Sequence, residues 1–152
     1  GPELETLRHE FAGRPDSLFL GRRVGDELAR IYASAEVFLQ PSETETLGFV
    51  TLEALASGLP IVAVCAGGNV DLVAHDRTGF LYAPGDVQAA SGWLRTLAEQ
   101  PARRAAMSHA AAQAAAELSW QAHSRYVAQL YRRIAGRLGP PREESPAGRG
   151  ER

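Results

Sequence analysis

The sequence predicts an α/β fold in which helices flank a parallel sheet. Two apolar segments, residues 37–39 and 61–64, have the composition of short buried strands. A polar loop and a helix-forming segment, residues 49–56, lie between them. A strand, a helix and a second strand in this order form a crossover unit, and crossover units join parallel strands.

Residues that interrupt regular structure mark the ends of these segments. Pro41 cannot donate a hydrogen bond to a sheet ladder, so it ends the first strand. Gly58 is a natural C-terminal cap for the helix, and Pro60 prevents the helix from continuing. Residues 37–64 are therefore predicted to run from strand through loop and helix to strand.

The segment before this unit predicts two helices and one strand. Residues 3–13 have apolar side chains at helical spacing, and residues 17–20 form a short apolar run that predicts a strand. Gly25 and Asp26 are expected to cap the next helix, because a short polar side chain favours a helix start.

The segment after the unit predicts one more strand and three helices. Residues 80–82 form the strand, Asp86 caps the helix that follows, and Pro101 begins the second helix. Residues 120–138 form the third, with an apolar stripe and several arginines. Beyond it, glycine, proline, arginine, glutamate and serine predict disorder. The expected division is a folded domain and a disordered tail, residues 1–138 and 139–152.

Composition excludes several classes of function. The chain has 152 residues and a formal net charge of −2, so charge gives no reason to expect binding to nucleic acid or to an anionic membrane. No apolar segment approaches the length of a membrane span. The single cysteine, Cys65, predicts no internal disulfide and is expected to be a small buried residue. The spacing of histidines predicts no metal site, and no cofactor is expected.

The start of the predicted helix after the first strand is the candidate binding site. Residues 46–49 place backbone N–H groups at the positive end of a helix dipole, which favours an anion such as a diphosphate. Two carboxylates, Glu45 and Glu53, lie on either side with seven residues between them. Carboxylates accept hydrogen bonds from hydroxyl groups, so a diphosphate and hydroxyls together suit a nucleotide-sugar.

A purely structural role remains open for each carboxylate. Ser42 and Glu45 match the spacing of a capping box, which would only tie off a helix start. Such a helix would contain Gly48 in its interior, at a cost of about 1 kcal/mol. Glu53 lies in an otherwise apolar helix, where a buried carboxylate would need a basic or hydroxyl-rich partner. A bound ligand would supply that partner.

The glutamate pair resembles the E-x7-E motif of retaining glycosyltransferases of family 4, which have the GT-B fold. The sulfoquinovosyltransferase branch of this family is similar to the chain over two segments. They are residues 41–68 (PSETETLGFVTLEALASGLPIVAVCAGG) and residues 76–86 (DRTGFLYAPGD). Many family members have Gly-Phe-Gly where this chain has Thr46-Leu47-Gly48. The resemblance implies a Rossmann-like domain, the C-terminal half of a GT-B glycosyltransferase, that lacks its first strands.

The resemblance also implies a role for each site residue. Glu45 would be the catalytic residue beside the transferred sugar, and Glu53 would bind the ribose hydroxyls. The other implied donor-binding residues are those of the helix start, the base-side pair and the sugar-side pair: Thr46, Leu47, Gly48, Phe49, Gly21, Arg22, Gly67 and Gly68. Two solvated loop residues are the alternative for the base-side pair, and a plain tight turn is the alternative for the sugar-side pair.

The implied activity is retaining transfer of a sugar from a UDP-sugar, UDP-sulfoquinovose in this branch, to diacylglycerol. Such an enzyme needs an N-terminal acceptor domain and an Arg/Lys pair that this sequence does not contain, so the chain is expected to be an incomplete, inactive fragment. The resemblance suggests a plastid envelope or the cytoplasmic face of a membrane. The arginines of residues 120–138 contact lipid head groups or form a solvated face. The alternatives are a family 4 enzyme with another sugar donor and a non-catalytic nucleotide-sugar-binding module.

Overall fold

The computed structural model describes residues 3–138, so the predicted disordered tail at 139–152 lies outside the described residues. The chain divides into two compact units, Gly1–Ala35 and Glu36–Arg152.

The first unit contains two helices, α1 (Leu4–Glu10) and α2 (Gly25–Ser34). The rings of Phe11 and Phe19 meet edge to face with centroids 6.3 Å apart. The guanidinium of Arg14 lies 5.4 Å from the centroid of the Phe11 ring. These contacts hold the segment between the helices against the end of α1.

Two predictions for the first unit were wrong. Residues 17–20 form no strand in the described structure, and Leu18 is 81% exposed. A strand requires a neighbour for its backbone N–H and C=O groups, and the described part of this unit offers none. The N-cap of α2 is Val24, which makes no side-chain cap, so Gly25 and Asp26 are the first helical residues and not the cap.

The second unit is built on a three-stranded parallel sheet, which confirms the predicted fold class. The strands are β1 (Phe38–Gln40), β2 (Ile61–Val64) and β3 (Gly79–Tyr82), in the spatial order β1-β2-β3. The register places Phe38 opposite Ile61 and Ile61 opposite Gly79. The predicted strand–helix–strand unit is therefore present, with the first strand displaced by one residue.

The helices of the second unit connect and cover these strands. Asp86 caps α5 as predicted, because its carboxylate accepts a hydrogen bond of 2.8 Å from the Ala89 N–H. Pro101 is the first residue of α6, also as predicted. The helices are α3 (Phe49–Ala56), α4 (Asn69–Leu72), α5 (Val87–Glu99), α6 (Pro101–Glu117) and α7 (Trp120–Leu138).

The core of this unit lies on both faces of β2, in which all four residues are buried. Val62 and Val64 pack with Phe80 of β3 and Leu97 of α5 in one cluster. Because successive strand residues alternate in direction, Ile61 and Ala63 face the opposite side of the sheet. α3 contacts β1 and β2 there, and α6 packs on α3.

Helix α7 carries the predicted apolar stripe, and much of that stripe is exposed. Tyr126 is 61% exposed and Tyr131 is 70% exposed. Arg125, Arg132 and Arg133 are exposed as well. Of the helices that the structure describes, none combines the length and the apolar character required to cross a bilayer.

Tyr82, at the end of β3, has a pKa that makes stability sensitive to alkaline pH. Burial of the side chain, and then the negative charge of Glu43, raise the pKa of Tyr82 above its usual value of about 10. The unfolded chain therefore releases this proton at a lower pH than the folded chain does. The contribution of Tyr82 to the free energy of unfolding is complete below its pKa in the unfolded chain. It is lost as pH rises through its pKa in the folded chain.

We expect Tyr82→Phe to lose less stability than the wild-type chain as pH rises above about 10. The chain contains no lysine, so no side-chain ammonium group titrates there. Urea unfolding at several pH values measures the difference. Tyr131→Phe, at an exposed hydroxyl, is the control and should follow the wild type. The expectation is wrong if the free energy of unfolding depends on pH in the same way in all three proteins.

Candidate functional site

Two loops follow the carboxyl ends of neighbouring parallel strands. The first loop, residues 41–48, leads from β1 to α3, and the second loop, residues 65–68, leads from β2 to α4. Carboxyl ends of parallel strands lie at the same edge of a sheet, which is where ligands bind in open α/β folds. Most of the predicted site residues belong to these loops.

The first loop ends at the N-terminus of α3 in a conformation that favours glycine. Gly48 is the N-cap residue, has φ +67° and makes no side-chain cap. A Cβ atom at this position would lie 2.7 Å from Cδ1 of Leu72. The helix begins at Phe49, so the capping box at Ser42 and Glu45 does not form. The N-terminus of α3 therefore has no capping side chain at Gly48.

The second loop packs directly on the backbone of the first. The Gly68 N–H donates a hydrogen bond of 2.7 Å to the Glu45 carbonyl oxygen. A Cβ atom at Gly67 would lie 2.2 Å from the same oxygen, and one at Gly68 would lie 2.6 Å from the Thr46 carbonyl oxygen. The two glycines are thus required for the contact between the loops, a role that the sequence did not reveal. Their contact with a sugar stays a prediction.

The two carboxylates are accessible. Glu45 is half-buried in the first loop, and Glu53 is exposed on α3. Glu53 is exposed because α3 turns Thr51, Ala54 and Leu55 toward the core. Both carboxylates belong to the same loop–helix segment, and carboxylate oxygens accept hydrogen bonds from hydroxyl groups.

An apolar pocket of about 510 Å³ adjoins the start of α3, a size typical of ligand sites. Leu47 and Phe49 are 69% and 58% exposed at its rim. Its lining is mostly apolar and offers no charge to a diphosphate. This pocket therefore offers no charged group that would favour an anion, whereas the N-terminus of a helix does.

Gly21 and Arg22, the predicted base-side pair, do not belong to the two loops, and the predicted burial of Cys65 was wrong. Gly21 and Arg22 are exposed and belong to the first unit, with open space around Gly21. Their role beside a nucleotide base stays a prediction. Cys65 is exposed and not buried, because it follows the last buried residue of β2 at the sheet edge.

Asn69 is a buried polar residue beside the two loops that the sequence did not single out. Its side chain is completely buried and hydrogen-bonded to residues of the first loop, α3 and β2. Thr51, one of its partners, is completely buried too. The sequence contains polar residues at positions 51 and 69, but only the fold shows that both of them face the interior.

Comparison with known proteins relates these loops to a family. The family of glycosyl transferases group 1 matches residues 2–114. The chain is 46% identical over 125 residues to the sulfoquinovosyl transferase SQD2 of Arabidopsis thaliana, with 80% of this chain and 24% of that protein covered.

Two solved structures share the fold. Sucrose-phosphate synthase of Thermosynechococcus elongatus matches with a TM-score of 0.75 and 29% identity, covering 88% of this chain and 34% of that one. HepE of Anabaena in complex with UDP-glucose matches with a TM-score of 0.67 and 28% identity, covering 76% of this chain and 32% of that one.

The chain spans about a quarter to a third of the length of these proteins, from 24% to 34%. The matched part contains the sheet, both loops and α3. Since the family match extends over most of the sequence and the parallel sheet agrees with a partial Rossmann-like domain, the chain belongs to the glycosyl transferases of group 1, with the GT-B fold.

Proposed function

We propose that this chain is the donor-binding part of a retaining glycosyltransferase that uses a UDP-sugar. The observation that carries the proposal is the start of α3, where Gly48 leaves the helix N-terminus without a side-chain cap and Glu45 and Glu53 lie in the same loop–helix segment. The N–H groups would bind the diphosphate, and the carboxylates would bind the hydroxyls of ribose and sugar.

Transfer would break the bond between the anomeric carbon and the diphosphate oxygen, and the electron pair would stay with the departing diphosphate. The acceptor hydroxyl oxygen would form the new bond to the anomeric carbon, and its proton would pass to the departing diphosphate. Negative charge develops on the departing diphosphate, and the positive end of the α3 dipole stabilises it. Glu45 would position the sugar and stabilise charge near the reacting carbon. It is assigned no covalent role.

The proposed donor is UDP-sulfoquinovose, and the proposed acceptor is the lipid diacylglycerol. Support for the donor comes from the 46% identity to a sulfoquinovosyl transferase, which includes both loops. The acceptor follows from the same resemblance and would bind outside this domain.

A second candidate is the same domain with UDP-glucose as the donor. It is supported by the structural match to HepE, which was solved with UDP-glucose. The sulfonate separates the two hypotheses, because a site selective for UDP-sulfoquinovose must gain affinity from a charge that glucose lacks.

The test is calorimetric titration of UDP, UDP-glucose and UDP-sulfoquinovose into this chain and its Glu53→Ala variant. We expect Glu53→Ala to weaken UDP binding by about ten- to a hundredfold, because hydrogen bonds to a charged group contribute about 1.5–3 kcal/mol. Tighter binding of the sulfonated donor than of UDP-glucose would support the proposed substrate.

The control is Glu99→Ala, at an exposed glutamate in the last turn of α5, which should bind UDP like the wild type. Unchanged UDP affinity in Glu53→Ala would overturn the assigned site. Failure of the folded wild-type chain to bind UDP would overturn donor binding by this chain, and equal affinity for both sugars would overturn the sulfonated donor.

A further inference from the structure

Asn69 is the first residue of α4, and its side chain connects three parts of the second unit. Oδ1 of Asn69 accepts a hydrogen bond of 3.1 Å from Oγ1 of Thr51. Nδ2 of Asn69 donates to the carbonyl oxygens of Ser42 and Val64, at 3.3 Å and 3.4 Å. One amide group therefore joins the first loop, α3 and the end of β2.

Two partners of Asn69, Ser42 and Thr51, lie on either side of residues 45–49 of the candidate donor site. Ser42 lies three residues before Glu45, and Thr51 lies two residues before Glu53. Gly68, the residue before Asn69, adds a fourth hydrogen bond, because its N–H donates to the Glu45 carbonyl oxygen at 2.7 Å. Residues 68 and 69 thus hold the first loop and α3 by backbone and side chain together.

Because Asn69 is buried, water cannot replace the partners of its side-chain amide. Its side chain is 0% exposed, and a buried amide that loses a hydrogen bond is costly. Among the described residues, no fully buried side-chain nitrogen or oxygen lacks a partner. An apolar residue of similar size would fill the space but would leave the carbonyl oxygens of Ser42 and Val64 without this donor.

We propose that Asn69 is a positioning residue for the donor site. It contacts no ligand itself and fixes the first loop against the start of α3, so that Glu45 and the N–H groups of the helix start have one relative arrangement. The proposal rests on the proposed donor-binding function. Preorganisation of this kind raises affinity because the loop has less freedom to lose when ligand binds.

The decisive variant is Asn69→Asp, which keeps the size of the side chain and its acceptor for Thr51. It replaces the Nδ2 donor with an oxygen that faces the carbonyl oxygens of Ser42 and Val64. We expect UDP binding by calorimetry to weaken by about tenfold or more, since loss of a buried hydrogen bond is of that magnitude.

Thr78→Val is the matched control for stability. Thr78 is 1% exposed, and its hydroxyl accepts a hydrogen bond of 3.0 Å from the Ala74 N–H, away from both loops. This variant should lower Tm and bind UDP within about twofold of the wild type, because distant sites act independently. Equal loss of affinity in both variants would overturn the positioning role.

A second pair of variants tests the same contact from the other side. Thr51→Ser keeps the hydroxyl that bonds Asn69, and Thr51→Val removes it while keeping the volume. The serine variant should bind UDP within about twofold of the wild type, and the valine variant should bind several times more weakly. Equal binding by the two would count against the proposal, and this pair decides it if Asn69→Asp does not fold.

Hydrogen exchange separates this proposal from the proposed function. Amides of residues 42–48 should exchange faster in Asn69→Asp than in the wild type, whereas Thr78→Val should leave them unchanged. If the wild type fails to bind UDP, donor binding fails, and exchange still decides whether Asn69 orders the loop. Unchanged exchange in Asn69→Asp would overturn the proposal.

Discussion

Phe80→Ala is expected to lower the free energy of unfolding by about 3–5 kcal/mol, the usual cost of removing a buried phenylalanine ring. Phe80 is 0% exposed in the middle of β3. Its ring is stacked on Trp93 with centroids 4.1 Å apart. The guanidinium of Arg103 lies 4.9 Å from its centroid, and His75 meets it edge to face. Truncation would therefore remove the contacts of β3 with α5 and α6 at once.

Urea unfolding followed by circular dichroism measures this loss as a lower midpoint. Tyr131→Ala is the control, because that ring is 70% exposed and its removal should change the free energy by no more than about 0.5 kcal/mol. A Phe80→Ala midpoint close to that of Tyr131→Ala would show that the stacked cluster does not stabilise the second unit.

Gly67→Ala is expected to weaken UDP binding by at least about tenfold, which corresponds to about 1.4 kcal/mol. Gly67 has φ +53°, and a Cβ atom would lie 2.2 Å from the Glu45 carbonyl oxygen. The atom in the way belongs to backbone, so one of the two loops must move. Displacement of the first loop carries Glu45 and the start of α3 away from the arrangement that binds donor.

Gly85→Ala is the control for Gly67→Ala. Gly85 also has a positive φ, +77°, but nothing lies within 4 Å of a Cβ atom there. The two variants share the cost of a left-handed alanine, about 1–2 kcal/mol, and differ in the contact between loops. If both weaken UDP binding equally, or if Gly67→Ala binds like the wild type, close packing of the loops is not what orders the site.

The central unit was predictable because its signals are local. Pro41, Gly58 and Pro60 separate the apolar runs of residues 37–64 and specify each boundary without reference to the rest of the fold. Residues 17–20 have the same apolar character and form no strand, because a strand exists only where another strand pairs with it. Sequence alone indicates the propensity of a segment and does not indicate its partner.

Burial was less predictable than secondary structure. Cys65 was expected inside and is exposed. Its exposure depends on where β2 ends, which is not encoded at that position alone. Asn69 shows the reverse case, because its three hydrogen bonds join segments that are up to 27 residues apart in sequence.

The close approach of the two loops has a consequence for engineering donor specificity. The carbonyl oxygens of Glu45 and Thr46 occupy the space that side chains at positions 67 and 68 would need. A loop grafted after β1 will keep this contact only if positions 67 and 68 remain glycine. Loop exchange should therefore retain both glycines or replace the two loops together.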